Sequence, residues 1–61
     1  MKQISEKELS FLNDMLDEEE LLVKKFKMLA EHTDDKEIKE KFEQIAKQHQ
    51  GHFNDLYSQL G

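Results

Sequence analysis

The chain has 61 residues, with nine lysines, no arginine, no cysteine and a net charge of −5. A chain this short forms one domain and buries only about 60% of its unfolded surface, so we expect self-association to add to its stability. The absence of cysteine excludes disulfides and thiolate metal sites. The absence of arginine argues against a nucleic-acid partner. No apolar run approaches the roughly 20 residues that a membrane span needs.

A capping-box pattern opens the first predicted element, where Ser5 is followed three residues later by Glu8. Such a pair satisfies the free amide groups at a helix start, so we predict a helix over about residues 6–32. When position 19 is counted, its apolar positions recur at alternating steps of three and four: Leu9, Leu12, Leu16, Val23, Phe26 and Ala30. Glu19 stands within this apolar series, at the midpoint of the predicted helix.

The segment His32-Thr33-Asp34-Asp35 interrupts the helical pattern, and Asp34 with Glu37 repeats the capping signature. We therefore predict a turn at about residues 33–34 and a second helix over about residues 35–60. This helix has its own stripe at helical spacing: Ile38, Phe42, Ile45, Ala46, His49, His52, Phe53, Leu56, Tyr57 and Leu60. Neither segment alternates with the period of two that is typical of a strand.

Two helices of matched length, each roughly 40 Å long, joined by a short turn predict an antiparallel hairpin over a single domain of residues 1–61. The apolar stripes are wider than two helices can cover. We therefore predict an all-α fold in which the hairpin homodimerises into a four-helix bundle. An adaptor that docks a helix of another protein on this stripe is the alternative.

Folding the chain at residues 33–34 places Glu19 level with residue 48, so that His49 lies opposite it and His52 about 4.5 Å further along. In a two-fold dimer with the turns at opposite ends, both copies of these three residues would line one central chamber. Carboxylate and imidazole are suitable ligands for zinc, iron or manganese, so Glu19, His49 and His52 are candidate metal ligands. A buried hydrogen-bonded cluster that sets the helix register is the alternative.

Two segments carry a family resemblance, Glu19-Glu20-Leu21-Leu22-Val23-Lys24-Lys25-Phe26 and His49-Gln50-Gly51-His52-Phe53. They resemble the two helix motifs of the small ferritin-like proteins grouped with bacterial spore coat protein F, and the likeness extends from about Glu8 to Leu60. The resemblance implies a ferritin-like bundle, a location in the cytoplasm or the spore coat, and spore coat proteins as partners. Because one hairpin is half of such a bundle, a complete one would need a second copy.

Ferritin-like metal proteins usually carry a glutamate on one helix and Glu-x-x-His on the next, where the second glutamate bridges two ions. Here His49 occupies that bridging position, and a neutral imidazole does not bridge as a carboxylate does, so we do not expect a di-iron oxidase centre. The chain also lacks a nucleophile arrangement and a glycine-rich phosphate loop. We therefore expect a structural or assembly protein rather than an enzyme, with a metal-binding or redox protein as the alternative.

Four further positions lie away from the predicted Glu19, His49 and His52 group. His32 is expected to cap the end of the first helix or to face solvent, because a cation there is favoured by the helix dipole. Leu21 and Met28 are expected on the back of the first helix, about 200° and 180° from Glu19. The sequence indicates no role for them, nor for Gly51 inside the second helix.

Overall fold

The computed structural model describes residues 4–60, which form two α-helices, α1 over Glu6–His32 and α2 over Lys36–Ser58. The helices pack against each other as an antiparallel hairpin, and no strand occurs within residues 4–60, so the predicted all-α hairpin is confirmed. Residues 1–3 and 61 of the predicted domain lie outside the described part. Neither helix has an apolar stretch long enough to cross a bilayer.

The serine half of the capping box predicted for the first helix is present, but among residues 4–60 the Glu8 carboxylate does not accept the reciprocal bond from the Ser5 backbone N–H. The Ser5 hydroxyl oxygen accepts a hydrogen bond from the Glu8 backbone N–H at 3.1 Å, and the hydroxyl also lies 3.1 Å from the Glu8 carboxylate, to which it donates. The first turn also carries Glu6 and Glu8, whose negative charge complements the positive end of the helix dipole. These local contacts favour a start of α1 at Glu6.

The turn between the helices differs from the prediction by one residue. Asp35, not Asp34, is the N-cap of α2, and its carboxylate accepts from the Ile38 backbone N–H at 3.1 Å. The Thr33 hydroxyl oxygen accepts from the Asp35 N–H at 3.2 Å. Because this side-chain bond closes the turn, residues 33–35 connect the helices and α2 begins at Lys36.

The end of α2 also differs from the prediction, which extended this helix to about residue 60. The α-helix ends at Ser58, and the chain then tightens into a turn. Gln59 N–H donates to the Leu56 carbonyl at 3.1 Å, and Leu60 N–H donates to the Tyr57 carbonyl at 3.0 Å. Three-residue bonds of this kind are frequent at the ends of α-helices.

The buried core of the hairpin is small. Leu16, Val23 and Ala30 of α1 and Ala46 of α2 are the buried apolar residues among those described. The three on α1 are spaced by seven, the interval that keeps one seam of a helix facing a partner helix. Small side chains at Ala30 and Ala46 allow the helix backbones to approach closely.

The hairpin is a flat layer one helix thick, with Cα extents of 47 × 17 × 10 Å, so it has two broad faces. We define the apolar face by one set of half-buried side chains: Leu12, Met15, Leu22, Phe26, Leu29, Phe42, Ile45 and Leu56. Measured at 100° per residue from the buried seam, these side chains lie on one side of both helices. The other side, the polar face, carries Glu20, Lys27, Glu43, Lys47 and Gln50, all exposed.

Candidate functional site

Glu19 lies at the midpoint of α1, on the apolar face and one turn from the buried Leu16 and Val23. Its side chain keeps 16% of its exposure to solvent. A carboxylate withdrawn from water to this extent is costly unless polar groups contact it. Both of its oxygens have such a partner, and both partners come from α2.

His49 is the first of these partners. Its Nδ1 atom lies 2.6 Å from Glu19 Oε1 in a hydrogen bond between residues 30 positions apart in sequence. Because an ionised carboxylate only accepts, the Nδ1 atom carries the proton and donates it. The His49 side chain is 23% exposed, so the bond is shielded from much of the solvent.

His52 is the second partner and is held less firmly. Its Nδ1 atom lies 3.1 Å from Glu19 Oε2, but its side chain is 60% exposed, and the contact is an ion-pair type approach rather than an aligned hydrogen bond. The two imidazole rings lie 5.6 Å apart and nearly perpendicular, at 84°. Three residues along a helix bring side chains to the same face, so the pair follows from the helical spacing.

Phe26 is a member of this site that the sequence argument assigned only to the apolar series. Its ring stacks on the His49 imidazole, with centroids 6.0 Å apart and an angle of 12°, and it also contacts the Phe42 ring at 5.9 Å. The sequence spacing indicates this position, because Phe26 follows Glu19 by seven residues and so lies on the same face of the helix. Between Phe26 and Glu19, the orientation of the His49 ring is set on two sides.

The structure therefore brings together all three residues predicted as metal ligands. Glu19, His49 and His52 each offer one ligand atom, and these atoms lie within 4.8 Å of one another. Ligands on one zinc ion at about 2.0–2.1 Å can be separated by about 4 Å at most. The three residues therefore form a hydrogen-bonded cluster as they stand, and they would bind one ion if the widest of these separations closed to that limit.

His32 is not part of this group. Its Nδ1 atom lies 2.8 Å from the Met28 carbonyl oxygen at the end of α1, and the side chain is exposed. This is the expected arrangement of a polar side chain that satisfies a carbonyl group in the last helical turn.

A groove of about 610 Å³ lies on the polar face and is lined by side chains that include Lys27, Glu43, Lys47 and Gln50. Its lysines and glutamates are exposed, so the groove places no withdrawn polar group against a bound molecule. The apolar face, with Glu19, His49 and His52 at its centre, is therefore the candidate functional site.

Comparisons of this chain with protein-family models, with curated proteins and with solved structures found no match.

Proposed function

We propose that the protein is a structural or assembly protein whose hairpin homodimerises through its apolar face into a ferritin-like four-helix bundle. One observation carries the proposal. The hairpin fully buries only four apolar residues among those described, while the large side chains of the apolar face are only half-buried along its length. Such a face is covered most simply by a second copy, which gives both chains one shared core.

The dimensions of the hairpin support a second copy as the occupant. A layer only 10 Å thick has no interior of its own beyond the seam between its two helices. Facing helices in bundles pack with axes about 8–10 Å apart, so a second layer on the apolar face would produce a four-helix bundle of ordinary proportions. The apolar face extends from Leu12 near one end of α1 to Leu29 near the other. A second copy, which has the same length, would therefore cover the whole face.

The resemblance to the spore coat protein F group supports an assembly role in the spore coat or cytoplasm, with other coat proteins as partners. These partners are proposed on the basis of the resemblance alone. The physical proposal, self-association through the apolar face, can be tested independently of it.

Sedimentation equilibrium at micromolar concentration tests the dimer, and two neighbouring residues offer a matched pair of variants. Leu22 lies half-buried on the apolar face, whereas Leu21 is 66% exposed on the back of α1. We expect Leu22→Glu to produce monomers, because it places a charge in the shared core, and Leu21→Glu to remain dimeric. A monomeric wild-type chain, or a Leu22→Glu variant that stays dimeric, would contradict the proposal.

Metal binding is a second candidate function, favoured by the approach of three ligand-type side chains to within 4.8 Å. We propose that Glu19, His49 and His52 together form a site for a divalent ion of the zinc, iron or manganese type. Metal analysis of protein purified without a histidine tag, followed by titration with each ion, checks this. Stoichiometric binding should be lost in His52→Ala and weakened in Glu19→Ala, and a chain that binds none of the three ions would exclude this function.

A further inference from the structure

The chemistry of the Glu19 cluster favours a more specific assignment than three ligands on one chain. The two histidines approach Glu19 with the same ring atom, Nδ1, at 2.6 and 3.1 Å. The Nε2 atoms lie on the far side of each ring and accept no hydrogen bond from any group in residues 4–60. A proton on Nδ1 leaves Nε2 as the basic atom, and a histidine whose Nδ1–H faces a carboxylate is the usual form of a metal-binding imidazole.

The position of the cluster determines where those Nε2 atoms would lie in the dimer. Glu19 is at the midpoint of Glu6–His32, and His49 is within two residues of the centre of Lys36–Ser58. Full overlap of two apolar faces about a two-fold axis leaves mid-height residues at the same height in both copies, whether the turns meet at one end or lie at opposite ends. The two clusters therefore meet across the bundle core in both arrangements.

Charge decides how many ions such a chamber would hold. Two copies of Glu19 contribute two negative charges, which balance one divalent ion but only half of the charge of two. An ion in a poorly solvated core without compensating charge is strongly disfavoured. One ion for two chains is therefore the balanced composition.

From these observations, and resting on the proposed homodimer, we propose that one zinc-type divalent ion is bound at the dimer centre by His49 and His52 of both chains through Nε2. Glu19 lies behind the histidines and orients them instead of binding the ion. Four imidazole nitrogens at about 2.0–2.1 Å form the tetrahedral set that zinc prefers, and imidazole also suits copper, iron and nickel better than manganese. The site is incomplete in one chain, because each hairpin supplies only two of the four nitrogens.

The exposure of His52 is consistent with this role. His52 is 60% exposed although it lies on the same side of α2 as the half-buried Ile45 and Leu56. A polar ring at the centre of an apolar face would be left in the dimer core without a partner for its Nε2 atom. An ion shared with the second copy would supply that partner.

Titration of the metal-free full chain with zinc, read by native mass spectrometry, tests the composition. We expect a species of two chains and one ion. Cobalt titration gives the geometry, because four nitrogen ligands around cobalt produce the intense visible absorption of a tetrahedral site. One ion for each chain, no bound ion, or cobalt spectra typical of six ligands would each overturn the proposal.

Three variants assign the ligands. His52→Ala should abolish the tetrahedral cobalt spectrum, and retained helicity by circular dichroism would show that the exposed side chain is not needed for folding. Glu19→Gln should keep the spectrum and the ratio of one ion to two chains while weakening affinity about 10–100-fold, as loss of an orienting group does. His32→Ala is the control and should bind as the wild type does. A spectrum lost in Glu19→Gln, or unchanged affinity in His52→Ala, would contradict the assignment.

Sedimentation in a chelator separates this proposal from the proposed function. A dimer that persists without metal and binds no zinc supports the assembly role and refutes the four-histidine site. A chain that is monomeric in chelator and dimeric with one zinc for two chains supports the four-histidine site. This result refutes the proposal that the apolar face alone is sufficient for dimerisation. A chain that is monomeric in both conditions refutes both.

Discussion

The contacts of Glu19 predict that its two histidine partners contribute unequally to stability, which a pair of double-mutant cycles can measure. One cycle combines Glu19→Ala with His49→Ala, and the other combines Glu19→Ala with His52→Ala. Each cycle yields the coupling energy of one pair, because losses confined to one residue cancel. The stacking of Phe26 on His49 is such a loss, since it disappears in every variant that lacks the imidazole.

The expected magnitudes follow from geometry and exposure. The Glu19–His49 bond is short, at 2.6 Å, and its side chains are 16% and 23% exposed, so a charge-assisted bond of about 1.5–3 kcal/mol is expected. The His52 contact is longer, at 3.1 Å, and 60% of that side chain is in solvent. Screening by water limits such a contact to about 1 kcal/mol or less.

The assay is urea unfolding followed by circular dichroism, with a chelator present so that no ion links the three residues. Protein concentration is held constant, because the apparent stability of a dimer depends on it. Equal coupling energies, or a larger value for His52 than for His49, would refute the conclusion that burial and alignment distinguish the two histidines.

Three further predictions concern stability away from the cluster. Gly51→Ala should raise the free energy of unfolding by about 1 kcal/mol, because an added Cβ meets no atom within 4 Å and alanine favours a helix, and a fall would indicate an unseen close contact there. Asp35→Ala should lower the free energy of unfolding by about 1 kcal/mol through loss of the α2 cap, whereas Asp34→Ala should lower it little. A larger loss for Asp34→Ala in urea unfolding would identify Asp34 as the N-cap, as the sequence predicted. Leu16→Ala should destabilise the protein by about 2–5 kcal/mol because this side chain is only 7% exposed, while Leu9→Ala, at 40% exposure, should destabilise it less. Similar thermal midpoints for the two variants would contradict the described core.

The metal and the cluster interpretations share the same three residues and differ in what they require of His52. A cluster that only sets the helix register needs the Glu19–His49 bond and makes no use of the His52 Nε2 atom. A metal site needs both imidazoles. His52→Ala is therefore the most discriminating variant, since it leaves the register bond at 2.6 Å in place and removes one metal ligand.

The back of α1 has a simpler interpretation. Leu21 and Met28 are 66% and 53% exposed, on the side away from the apolar face, as their angular positions predicted. Scattered exposed apolar side chains of this kind are normal on a protein surface. Gly51 is likewise exposed, and the space around it is open.

Sequence alone determined the features that depend on neighbouring residues. Apolar spacing of three and four predicted two helices, the Ser5 and Glu8 pair marked the start of α1, and the shared stripe placed Glu19, His49 and His52 on facing sides of a hairpin. These inferences hold because capping and amphipathic burial act over one or two helical turns.

Only the tertiary structure decided how the two helices meet. Which carboxylate oxygen faces which imidazole, and the difference in exposure between His49 and His52, depend on helix rotation and register to within a fraction of a turn. The choice of Asp35 over Asp34 as the cap is different, because it follows from a local Thr33 bond that the capping pattern did not reveal. Periodicity identifies the face that a helix presents, but the depth of each side chain on that face is determined by the packing of the other helix against it.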